Sequence, residues 1–169
     1  MAPRLRKFVL TLHIASSVSL LGAIAAFLVL GITGLTSQDA QMVRAAYLAM
    51  QPIARFVVVP LTIASLLTGL IQSLGTAWGL FRHYWVLVKL LLTVFAATVL
   101  LLKMELIDYA ARLAAETTLP RADLREAGIQ LALHAAGGLS VLLVPTILSV
   151  FKPPGLTRYG WRKQHEQPV

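Results

Sequence analysis

The 169-residue chain is 57% hydrophobic and only 13% charged, too little polar material to coat a soluble globule, in which about a quarter of residues are charged. The same bias excludes disorder, and the absence of cysteine excludes a disulfide framework, a zinc–thiolate site, an iron–sulfur cluster and a thiol nucleophile. A net charge of +8 would suggest nucleic acid in a soluble protein, but in a chain of mean hydropathy +0.76 it points to membrane topology instead.

A spanning helix needs about 20 mostly apolar residues, and four stretches qualify. The first runs from Phe8 to about Leu35. Arg4, Arg6 and Lys7 ahead of it resemble a signal peptide, with Ala23-Ile24-Ala25 as a mimic of a cleavage site. The apolar run continues for about ten residues past Ala25, so a retained anchor is expected. The second span covers 53–75, with a kink expected at Pro60. The third covers 85–105; helical composition continues through Lys103 and Glu105 to Ala115, so this helix should project beyond the membrane. The fourth covers 128–151, after a start signal at Thr118-Leu119-Pro120 and the acids Asp123 and Glu126. Lys152-Pro153-Pro154-Gly155 ends it and opens a basic tail, 152–169. No internal repeat is visible. The expected fold is all-α, a single four-transmembrane-helix bundle over 1–169.

With the N-terminus cytoplasmic, the inner segments carry Arg4, Arg6, Lys7, Arg82, Lys152, Arg158, Arg162 and Lys163 against Glu166 alone. The outer segments are neutral, with Arg44, Arg55, Lys103, Arg112, Arg121 and Arg125 balanced by acids. The excess of basic residues inside therefore places both termini in the cytoplasm, with Tyr84, Trp85, Tyr159 and Trp161 at the interface. The basic termini are expected to meet anionic lipid headgroups, and nucleic acid is not an expected partner.

Charged groups in hydrocarbon are costly, so polar positions should face the bundle interior. His13, Ser16, Ser19, Ala23, Ala26 and Thr33 share one face of helix one. Helix two aligns Arg55, Thr62, Ser65, Gly69, Gln72 and Thr76. Helix three aligns Arg82, Trp85, Lys89, Thr93, Ala96 and Lys103. Helix four aligns Gln130, His134, Gly137 or Gly138, Val141, Pro145 and Ser149. Small and hydroxyl residues at such positions serve helix packing. Ionisable ones carry functional hypotheses by default.

His13 and Lys89 lie at similar depth from the inner side and can converge on one polar site; a snorkelling lysine and a hydrogen-bonded neutral imidazole are the structural alternatives. His134 belongs to the outer level, well over 10 Å from His13 along the membrane normal by helical rise, which argues against one iron bound by both. Arg55, Lys103 and Glu105 share that outer level and either form a polar cluster with His134 or belong to an ordinary interfacial ion-pair network. Gly137 and Gly138 leave room there for a flat ligand or a close helix contact. Phosphate-binding loops, HExxH and nucleophile elbows are missing, as are acids inside the membrane, short of Glu105 at the outer level, and inverted repeats, which disfavours hydrolase and transporter chemistry.

Leu12-His13-Ile14, the run from Arg55 to Pro60, Thr68-Gly69 and Trp85-Val86-Leu87-Val88-Lys89-Leu90-Leu91 occur in an order that resembles the bacterial membrane proteins grouped with copper-resistance protein D and the haem-binding membrane protoporphyrinogen oxidase. Within that group the chain looks most like an uncharacterised four-helix family with a lysine–proline stretch such as Phe151 to Gly160. The resemblance implies a bacterial plasma-membrane protein with b-type haem near His13, the candidate iron ligand, and Lys89, the candidate partner of a propionate. The oxidase pattern has further polar residues flanking helix three, where Leu100-Leu101-Leu102 stands here. The copper-protein pattern has more metal ligands. The resemblance thus carries neither porphyrinogen oxidation nor copper transport to this chain.

The expected function is that of a b-type haem-binding membrane protein of redox type, with His13, Lys89, Arg55 and His134 as candidate cofactor-binding residues. The alternative is a non-enzymatic assembly or partner-binding protein, acting as a homo-oligomer or with a membrane partner. A small transporter or channel subunit comes third.

Overall fold

A computed structural model describes residues 2–75, 80–116, 118–151 and 153–165, with side chains as far as Arg162. Thr76, Lys152 and Glu166 of the sequence reading lie outside the described residues, as does the end of the basic tail. Seven α-helices follow in order: α1 (Pro3–Thr36), α2 (Ala40–Ile53), α3 (Val59–Gly75), α4 (Tyr84–Leu102), α5 (Met104–Ala115), α6 (Arg121–Phe151) and α7 (Arg158–His165). A π-helical segment, Ala54–Val58, joins α2 to α3.

Among the described residues four continuous helical stretches are long and apolar enough to cross a membrane: Pro3–Thr36, Ala40–Gly75, Tyr84–Ala115 and Arg121–Phe151. Each exceeds what a bilayer requires. The 34 residues of α1 span about 51 Å at 1.5 Å per residue, against a hydrocarbon core of about 30 Å. The rods therefore project beyond the lipid, where α2, α5 and the start of α6 pack on one another. Tyr47, Met50, Ala110, Ala114, Leu124 and Ala127 are almost wholly buried in this outer layer.

Local chemistry sets the boundaries. Pro3 opens α1, where a missing N–H costs nothing. Asp39 caps α2 by accepting the Gln41 N–H at 2.9 Å, and Ser37 Oγ accepts the Asp39 N–H at 3.2 Å. These bonds close a tight turn, and Arg121 reinforces it by donating to the Gln38 carbonyl at 3.0 Å. The α4–α5 rod breaks at Lys103, whose backbone bonds back to Val99 and Leu100. The irregularity expected at Pro60 lies instead just before it. Proline removes the N–H that would bond to the Phe56 carbonyl, and the chain widens into a π turn in which the Val59 N–H reaches Ala54, five residues back.

Within the bilayer α1 packs on α3 and α6, and α4 packs on α6 and α3, while α2 packs on α5 outside. The first-helix stripe is partly corrected: Val9, Ser16, Leu20, Phe27 and Gly31 face inward, whereas Ser19 and Ala26 are exposed. Lipid is as apolar as the bundle interior, so hydrophobicity does not separate the two faces there.

Candidate functional site

Two polar regions occupy the bundle, one near each end. In the inner one, His13 Nδ1 lies 3.1 Å from both the Ser65 carbonyl and Thr68 Oγ1. A carbonyl only accepts, so Nδ1 carries the proton. Ser17 and Ser65 share a 2.8 Å hydroxyl bond, and Gly69 is flush against the His13 ring. Lys89 donates to Ser149 Oγ at 2.6 Å, its ammonium 5.1 Å from the Trp85 ring centroid. His13 and Lys89 both belong to this inner region. Their direct partners differ, however: His13 belongs to the α1–α3 contact and Lys89 to the α4–α6 contact. This region ties α1 to α3 through His13 and α4 to α6 through Lys89.

The outer region is different. A cleft of about 390 Å³ is lined by residues of α1, α3, α4 and α6, within the range of small-molecule sites. Its walls are apolar except for Thr62, Thr93, Lys103 and His134. The two threonines donate to the carbonyls of Val58 and Lys89 on their own helices, at 2.7 and 2.9 Å. They can therefore only accept from a ligand. Phe95 and Leu133, which also line the cleft, are 58% and 67% exposed.

His134 is oriented by its own helix: Nδ1 lies 2.6 Å from the Gln130 carbonyl one turn back. That bond puts a proton on Nδ1, so in the neutral imidazole Nε2 is the nitrogen that carries the lone pair. A carbonyl holding one ring nitrogen while the other stays available is the arrangement of metal-ligating histidines. Gly137 and Gly138 also line the cleft, and a Cβ at either would meet nothing within 4 Å. The space is open, so of the two sequence readings for this pair it is room, not a close helix contact, that the structure provides.

Of the two readings of the outer polar residues, an interfacial ion pair is what forms at Arg55. Lys103 joins His134 on the cleft wall, but Arg55 turns to Asp108, with Nη2 to Oδ2 at 2.8 Å, and Gln51 Nε2 holds the other oxygen at 2.8 Å. Glu105 is exposed. Asp108 was missed in the sequence; Gln51 and Arg55, four residues apart on one helical face, were the signal that a carboxylate lies opposite. Among the described residues no three His, Asp or Glu converge on a metal position.

Residues 7–153 match the profile of a family described as "Predicted integral membrane protein (DUF2269)". No curated protein and no solved structure matches the chain. The likeness to copper-resistance protein D and to the haem-binding oxidase therefore rests on the quoted residues alone. The match extends over most of the chain, which belongs to this family of integral membrane proteins.

Proposed function

We propose that this DUF2269 protein holds a flat amphipathic cofactor, b-type haem, in the outer cleft, with His134 Nε2 as the axial ligand. The observation that carries the reading is the combination of an open apolar cleft with one histidine whose Nδ1 is already committed to Gln130. Lys103 on the same wall is the matching charge for a propionate. Gly137 and Gly138 provide the flat floor. His13, the ligand expected from the family resemblance, fits less well: its ring is packed on Gly69 and bonded to α3. Bound haem would supply one-electron exchange. The chain's own part would be to hold the group through His134, exclude water with the apolar walls and neutralise a carboxylate at Lys103.

The visible spectrum of the detergent-purified protein, expressed with haem precursor, tests this. A Soret band that His134→Ala abolishes and His13→Ala preserves is the expected result. A folded, colourless, monodisperse protein would overturn it and favour the alternative, an assembly protein whose inner polar residues serve helix contact. The proposed setting is the bacterial plasma membrane, with both termini cytoplasmic.

A further inference from the structure

We propose that Phe81–Tyr84 and Gly155–Arg162 form a built site for the phosphate of an anionic phospholipid at the edge of the bilayer. The two segments, far apart in sequence, are joined by backbone. Tyr84 N–H donates to the Gly155 carbonyl at 3.3 Å, Thr157 N–H donates to the Arg82 carbonyl at 2.9 Å, and His83 and Leu156 pair as an isolated antiparallel bridge. The buried Thr157 hydroxyl donates to the Phe81 carbonyl and accepts the Gly160 N–H at 3.1 Å, fixing the first turn of α7. Gly160 lies directly on the Arg82 backbone, where any Cβ would collide with that carbonyl. So α7 is a docked helix, and its orientation is set.

That orientation decides what α7 presents. Arg158 and Arg162, four residues apart, share the face opposite Gly160, and both are exposed. Two guanidinium forks at that spacing suit one phosphate group. Tyr159 and Trp161 flank them at 52% and 60% exposure, as amphipathic rings do at headgroup level. The site adjoins the start of α4 and the end of α6, at the limit of the apolar spans. Arg4, Arg6 and Lys7 lie at the same end of the bundle, and residues 2–12, 80–84 and 153–162 contain no acid. The charge favours an anionic headgroup, and the aromatic rings favour one carried by a lipid.

The full chain, purified in detergent, is titrated with phosphatidylglycerol, phosphatidylcholine or inorganic phosphate, and bound lipid is read by native mass spectrometry. Preferential retention of phosphatidylglycerol is expected, weakened roughly fivefold for each of R158Q and R162Q. Gly160→Leu, which displaces α7 but keeps both arginines, should lose the preference too. Equal retention of both lipids would overturn the proposal, as would a preference that survives the double variant or Gly160→Leu, or one that inorganic phosphate competes away. The readout does not depend on haem, so it stands or falls separately from the cleft.

Discussion

The His13 ring of α1 rests on Gly69 of α3: a Cβ at position 69 would stand 3.0 Å from His13 Cε1, while His13 Nδ1 reaches Ser65 one turn earlier. The glycine is favoured by close approach, not by backbone conformation, since a Cβ there would need the ring to give by a few tenths of an ångström. It brings α3 near enough for the imidazole to hydrogen-bond across the interface, the way small residues act in membrane bundles.

Gly69→Leu should therefore destabilise the fold by about 1–3 kcal/mol through overpacking. His13→Ala in the same chain should recover part of that loss, because the clashing ring is gone. Thermal unfolding of the two single variants and the double variant in one detergent measures the coupling. Additive effects would show that the two residues do not act on each other.

The outer layer turns on a second glycine. Tyr47 is fully buried and donates to the Leu124 carbonyl at 3.0 Å, and Gly128, one turn along α6, leaves room for its hydroxyl. Gly34 on α1 closes the other side, its Cβ position 2.8 Å from Tyr47 Cε2. Gly128→Ala should cost about 1–3 kcal/mol. Tyr47→Phe should cost about 0.5–1.5 kcal/mol, the net worth of that hydrogen bond. Limited proteolysis of α2 and α5 should report both. A Gly128→Ala protein as resistant as the parent would exclude the contact.

Gly138 is the opposite case, since its side of α6 faces open space. Gly138→Leu should leave unfolding temperature unchanged or raise it while abolishing the Soret band. The contrast with Gly69→Leu separates occupation of the cleft from damage to the bundle. A variant that keeps the full spectrum would place the cofactor elsewhere.

The orientation prediction is independent of any ligand. A reporter fused at Val169 should read cytoplasmic, because the basic residues at the two termini and the α3–α4 connection dominate the charge asymmetry. A periplasmic reading would invert the bundle and put the His134 cleft toward the cytoplasm.

Much of the candidate site was legible one helix at a time. Thr93, Ala96 and Lys103 were placed on one stripe, as were His134, Gly137 or Gly138 and Val141, and all of them line the cleft. Helical spacing alone yields that, because residues three or four apart share a face. The pairing of stripes was not legible. Arg55 was grouped with His134 by depth, yet it meets Asp108, 53 positions away, through a contact between amphipathic helices outside the lipid.

Four long apolar stretches in a chain this poor in charge determine a four-span helical membrane protein, because every backbone polar group in hydrocarbon must be satisfied within its own helix. The sequence by itself reaches that far, and it supplies the ionisable residues His13, Lys89 and His134. Which of them has space beside it was decided only by tertiary structure. Lipid and bundle interior are equally apolar, so the spanning helices carry little periodicity to say which face turns inward. Packing then set His13 against Gly69, Lys89 against Ser149 and His134 beside an open cleft.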